Sequence, residues 1–187
     1  MKLSKNLSLA EVVRSETAKR LNIDNNPTKE HLENLKTIAE KVFQPIRDHF
    51  NCPIHVSSGY RSENLNRAIR GSKMSLHMKG CALDIDMDFT NVSNKEVFDF
   101  IKDNLEFDTL IWEFCNDDDT PKWVHVSYIE GKNRKQVIEA YRDPITQITK
   151  YKPYEPRETK KEIKGDKSRS VSTGKNRDSK QSSRSSS

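Results

Sequence analysis

Residues 75–88 read Ser-Leu-His-Met-Lys-Gly-Cys-Ala-Leu-Asp-Ile-Asp-Met-Asp, and residues 123–128 read Trp-Val-His-Val-Ser-Tyr. In the first stretch Cys81, Leu83, Ile85 and Met87 alternate with Ala82, Asp84, Asp86 and Asp88. In the second, Val124, Val126 and Tyr128 alternate with Trp123, His125 and Ser127. Successive side chains of a strand point to opposite faces, so each stretch predicts a strand with one apolar and one polar side. Asp84 and His125 then face away from the core, where a cleft can form. His77 enters from the loop ahead of the first strand, and Gly80 lets the backbone turn so that His77 and Asp84 reach one point.

The other segments arrange themselves around these two strands. Ser8 and Glu11 have capping-box spacing, and Leu9, Val12, Val13 and Ala18 recur at near-helical intervals. A longer helix is predicted from an N-cap at Thr28. Its Leu32, Leu35, Ile38, Ala39, Val42, Phe43 and Ile46 form one apolar stripe, and Pro45 disturbs the last turn. Further strands are expected over residues 54–57, 110–114 and 136–141, with helices over residues 62–69 and 94–104. Together these predict an α+β domain over residues 1–150, with helices on one face of a small, mainly antiparallel sheet and the polar site on the other.

The chain has 187 residues, enough for one domain of ordinary size. Its net charge is +5, but from Lys150 onward 12 Lys or Arg stand against 5 Asp or Glu. That segment carries +7, and the first 149 residues carry −2. Residues 151–187 are a basic Ser/Lys/Arg-rich tail, too poor in apolar residues to offset its ordering entropy, and are expected to be disordered. A near-neutral domain does not read as a nucleic-acid binder. The cationic tail reads either as a passive extension or as a segment attracted to a polyanion, whether anionic wall polymers, another phosphate polymer, a membrane surface or nucleic acid. Cys52, Cys81 and Cys115 are an odd number without C-x-x-C spacing, so neither a disulfide framework nor a thiolate metal site is expected. No apolar signal region opens the chain and no apolar run spans a membrane, which predicts synthesis in the cytoplasm without a recognisable signal peptide. A monomer is the expected state.

A catalytic zinc needs three nitrogen or oxygen ligands and an open fourth position. His77, Asp84 and His125 offer such a set. Asp86 and Asp88 share Asp84's face, so they are rival carboxylates or groups that orient the histidines. A histidine on a strand is more often a structural residue than a ligand. His31 and His49 on the long helix, and His55 in a strand without an acidic partner, are read in that way.

The string S-x-H-x-x-G-x-A-x-D, followed by a Glu and then W-x-H, resembles the zinc D-Ala-D-Ala carboxypeptidase family. That family includes the vancomycin-resistance D,D-peptidases, many phage endolysins and a relative in the hedgehog signalling domain. Ser75, His77, Gly80, Ala82 and Asp84 match the first motif, and Ser58-Gly59-Tyr60-Arg61-Ser62 matches an upstream S-G-Y-R-S segment. The resemblance spans residues 32–141. It implies a hedgehog/D,D-peptidase-like fold and one zinc per chain, held by His77, Asp84 and His125. It further implies Arg61 as the cation for the substrate carbonyl or developing oxyanion, and Glu113 as general base. The best-known members place that Glu only a few residues before the last His, whereas 11 residues intervene here, leaving Asp117, Asp118 and Asp119 as alternative bases.

The implied substrate is a peptidoglycan stem peptide, trimmed at a terminal D-Ala or cut internally, and the absent signal segment suits a phage-encoded lytic or virion-associated enzyme. Two other classes stand beside it: a zinc-bearing binding module without catalysis, and a virion or nucleic-acid-associated protein acting through its tail.

Overall fold

The apolar halves of the alternating segments set the architecture. A computed structural model describes residues 1–88 and 90–156; the rest of the expected tail, residues 157–187, lies outside the described residues. Six strands form one sheet in the order β1 (Val56–Ser58), β2 (Ala82–Ile85), β4 (Pro121–Ser127), β3 (Thr109–Cys115), β5 (Gln136–Arg142) and β6 (Thr149–Pro153). Neighbours are antiparallel, except that β3 and β5 run parallel. Leu83, Ile85, Leu110, Trp112, Val124 and Val126 are fully buried on one face. Against them lie α3 (Lys29–Ile38), α4 (Gln44–Phe50) and α6 (Asn94–Asn104), which bring Leu35, Ile38, Ile46, Val97, Phe98 and Ile101 into the same core. The α+β arrangement is the expected one, with the helices on one face. No helix among the described residues is long and apolar enough to cross a membrane.

The N-terminal segment departs from the single helix its periodicity suggests. The Ser8–Glu11 capping box starts α1 (Leu9–Val13), but Arg14 is extended and Ser15 caps a new helix, α2 (Glu16–Leu21). The break frees two carbonyls for tertiary use. Val12 O accepts the Tyr60 N–H at 2.7 Å, and Val13 O accepts Asn25 Nδ2 at 2.8 Å. Asn25 Nδ2 also donates to Tyr60 O, and its Oδ1 accepts the Ser62 N–H. The segment 58–62 is thus held by the first 25 residues.

The long helix begins at Thr28, as predicted, and continues past Pro45 to Phe50. A proline inside an α-helix removes one hydrogen bond and crowds the preceding turn. Here the turn ahead of it widens into a π segment, Ala39–Phe43, in which the Gln44 N–H donates to Ala39 O. That extra width accommodates the ring.

At the other end, β6 crosses position 150, where the sequence reading placed the domain boundary. Its Thr-Lys-Tyr-Lys-Pro sequence lacks an apolar alternation because it is an edge strand, paired only with β5. Tyr154 then packs against Phe98 and Trp112, with ring centroids 4.8 and 5.4 Å away. The folded unit therefore extends beyond residue 150.

Asp108 fixes the starts of β3 and β5. Its carboxylate is 1% exposed and accepts Arg134 Nε and Nη2 at 2.7 and 2.8 Å, while its backbone bonds Ser127 O and the Gln136 N–H. The Arg134 hydrogen bonds hold its carboxyl below the usual carboxylate value. A depressed folded pKa gives stability that is complete above about pH 4 and is lost as acid reaches the folded value. Arg134→Ala should therefore destabilise the protein at pH 7 by about 1–3 kcal/mol, the penalty for an unsatisfied buried acceptor. Urea titrations should show that difference shrinking toward zero in strong acid.

Candidate metal centre

Cross-strand register brings the first two donors together. Asp84 on β2 pairs directly with His125 on β4, both on the face turned away from the core, and His125 Nδ1 lies 2.8 Å from Asp84 Oδ1. His77 comes from a 3₁₀ turn, Leu76–Lys79, closed by Gly80 in the left-handed region at φ +70. A Cβ on Gly80 would collide with the His31 carbonyl of α3, so only glycine permits this close seat. His77 Nε2 then reaches 3.2 Å from both Asp84 Oδ1 and His125 Nδ1.

The S-G-Y-R-S segment explains why these donors point inward. Gly59 presses against Val12, where an added Cβ would stand 2.6 Å from the Val12 carbonyl, and the Gly59 carbonyl sits 2.6 Å from His77 Nδ1. A carbonyl can only accept, so Nδ1 carries the proton and Nε2 presents its lone pair. Ser58 Oγ accepts Arg61 Nε at 2.9 Å, while Arg61 Nη2 donates to Asp84 Oδ2 at 2.6 Å. That bond turns Oδ1 toward the histidines. Tyr60 OH meets His31 Nδ1 at 3.1 Å, and Ser62 caps α5 (Glu63–Ala68).

Among the described residues, His77, Asp84 and His125 are the group of three whose ligand atoms converge. Their chemistry fits zinc. Two imidazole nitrogens and one carboxylate oxygen make a catalytic donor set, and a tetrahedron with arms of ~2.0–2.1 Å has edges of about 3.3 Å, close to the separations found. Burial holds the His77 imidazole below its ordinary value, which keeps it neutral and able to ligate. Burial opposes the Asp84 charge, but His77 and His125 outweigh it and hold that carboxyl well below its usual range.

Glu113 stands on the same face. Ile111 of β3 pairs with His125 and Glu113 pairs with Trp123, so Glu113 is two residues further along. Burial pushes its carboxyl up to about 7; His125 opposes the rise and Asp84 adds to it. All five side chains line one cleft of about 660 Å³, bounded by residues 69–77 on one side and by β5 and β6 on the other.

The remaining candidates lie elsewhere. Asp86 and Asp88 follow the end of β2; Asp86 Oδ1 accepts the Asp88 N–H at 3.0 Å, and neither joins the donor group. Asp117, Asp118 and Asp119 occupy the β3–β4 hairpin, outside the cleft lining, with Asp118 Oδ1 accepting the Thr120 N–H. His31 bonds Tyr60, His49 stacks on Phe100 at 4.0 Å, and His55 Nε2 meets Arg14 at 3.3 Å. Spacing alone had not disclosed two contributors: the Gly59 carbonyl, and Arg61 as the partner of Asp84.

Elemental analysis should find about one zinc per chain, lost in His77→Ala, Asp84→Ala and His125→Ala and retained in His55→Ala. Zinc persisting in all three variants would refute the donor set. In metal-free protein the Glu113 carboxyl should titrate near 7 by carbon-13 NMR, and added zinc should lower that value, because a dication on the same face favours the carboxylate. An unmoved titration would place the metal away from this cleft.

No curated protein sequence matches the chain. A family model described as Peptidase M15 matches residues 5–127. That match covers nearly two thirds of the chain and includes all three donors, Arg61 and Glu113. On these grounds the chain belongs to the peptidase M15 family of zinc-dependent metallopeptidases.

Proposed function

We propose that this protein hydrolyses a peptide bond in peptidoglycan stem peptides, trimming a terminal D-Ala or cutting within the stem. The observation that carries the reading is the placement of Glu113 and Arg61 in one cleft with three converging metal donors. His77 Nε2, Asp84 Oδ1 and His125 Nδ1 would hold the zinc. When bound, zinc supplies a Lewis acid that makes water a nucleophile near neutral pH and polarises a carbonyl. Glu113 takes the proton of the attacking water and returns it to the leaving amine. Arg61 is anchored through Nε and Nη2, and its Nη1 makes no hydrogen bond among the described residues. That edge is placed to steady the oxygen on which negative charge develops. Membership of the M15 family supports peptide-bond hydrolysis, and the paired S-x-H-x-x-G-x-A-x-D and S-G-Y-R-S motifs support the stem peptide as substrate.

Incubation of the zinc-loaded protein with muropeptides, read by mass spectrometry, tests the proposal: a product shortened by one D-Ala or split within the stem is expected. Glu113→Ala should keep its zinc and lose about 10²–10⁴-fold in turnover. Arg61→Ala should lose turnover and also bind zinc about 10–100-fold more weakly, because Asp84 loses the group that orients it. Muropeptides left intact by the zinc-loaded protein would sink the reading.

A further inference from the structure

The cleft has a wall that the family match does not reach. β5 and β6 lie beyond residue 127, where the match ends, yet Arg142, Thr149 and Tyr151 line the same space as the metal donors and Glu113. Register accounts for this. Glu113 pairs with Ala140 across the parallel ladder, Ala140 pairs with Tyr151, and Arg142 pairs with Thr149. Arg142 is two residues past Ala140 and so shares its face. With ~4.8 Å between strands and ~3.3 Å per residue along them, its Cα lies about 8 Å from that of Glu113.

Two observations single out this arginine. Its guanidinium is held without being neutralised: Nη1 donates to Thr149 Oγ1 at 3.1 Å and to the Gln147 carbonyl at 3.4 Å. Among the described residues it forms no ion pair. The second observation concerns what lies beneath it. The guanidinium carbon is 4.9 Å from the centre of the Phe114 ring. Strand alternation would send Phe114 to the core side with Leu110 and Trp112. Instead its φ is +54, a left-handed value that a bulky residue rarely adopts, and the β3–β4 ladder lacks the Phe114–Lys122 pair. Phe114 reaches the cleft and meets Trp123 edge-on at 5.4 Å. Backbone strain of this kind persists where surrounding contacts impose it, and it clusters at functional sites. Here it places an aromatic platform under a cation that no carboxylate contacts in an ion pair among the described residues.

We propose that Arg142, seated on Phe114 and Thr149, binds a free carboxylate of the substrate peptide and thereby sets specificity. This rests on the peptidase reading. A planar guanidinium matches a carboxylate with paired hydrogen bonds, and the aromatic neighbours exclude water from the contact. The span from Glu113 fits a carboxylate one or two residues from the cut bond, at ~3.3–3.6 Å per extended residue. The carboxylate comes from the peptide's C-terminus or from an acidic side chain. The first source makes the enzyme a trimmer of ends; the second lets it cut inside a stem.

The test compares wild type, Arg142→Gln and Arg142→Lys, each with zinc content verified, on two matched peptide pairs. One pair is diacetyl-L-Lys-D-Ala-D-Ala and its C-terminal amide. The other is a C-terminally amidated stem peptide with its D-Glu carboxylate free or amidated. Arg142→Gln should lose about 10–100-fold in kcat/KM, mainly through KM, on the free-carboxylate member of one pair and nothing on its amide. Arg142→Lys should fall between. The pair that responds identifies the source. Equal values for wild type and Arg142→Gln on all four peptides, or an equal loss on acid and amide, would overturn the proposal. If no peptide is cut, the peptidase reading fails on its own, and calorimetric binding of the same pairs applies the same criterion to Arg142.

Discussion

Asp84 is a carboxylate taken out of water, and much of the structure is arranged so that it stays charged. An isolated buried carboxylate would take up a proton instead. Here Oδ2 accepts from the Arg61 guanidinium, while Oδ1 faces His125 Nδ1 and His77 Nε2 at the point where the three donors converge. The arrangement needs three separate chain segments. β4 brings His125 across from Asp84 by register, the 3₁₀ turn brings His77, and the segment after β1 brings Arg61. The two glycines in these segments serve the same end, since each lets backbone approach a helix more closely than a side chain would permit.

The same sheet separates support from chemistry. One face is sealed by α3, α4 and α6 and carries the apolar half of every central strand. The opposite face carries Asp84, His125 and Glu113 on three adjacent strands, so their spacing is set by ladder geometry rather than by loop conformation. Glu113 is buried enough to resist ionisation, yet it shares a cleft with the Arg61 and Arg142 cations. Charge of both signs along one groove suits a substrate with a polar backbone and fixed anionic groups.

Much of this was legible from residue order because the period of a strand is two. Once Leu83 and Val126 are read as core residues, Asp84 and His125 are assigned to the other face without further information. Thr28 and the Ser8–Glu11 pair likewise announce their helices because N-caps act through local hydrogen bonds. What escaped has a common cause: it depends on partners far away in sequence. The break after Val13 follows from Tyr60 and Asn25 claiming its carbonyls. β6 has no apolar alternation to betray it, since it exists as an edge strand by pairing with β5. Nothing in the spacing of Arg61 says that Asp84 will be its partner, and strand alternation points Phe114 the wrong way.

The donor set also has a bearing on how the chain reaches its fold. His77 and His125 are 48 residues apart, Asp84 and His125 are 41 apart, and the Asn25 clamp on Tyr60 closes 35 residues. Loops of this size must be closed before their contacts return anything, which makes them late events in assembly. In a small zinc finger the ligands are near neighbours, and the ion can organise an unfolded chain. Here only His77 and Asp84 lie close in sequence, and the set is completed when β4 pairs with β2 and carries His125 across from Asp84. The third ligand therefore ties metal affinity to the long-range pairing of the sheet.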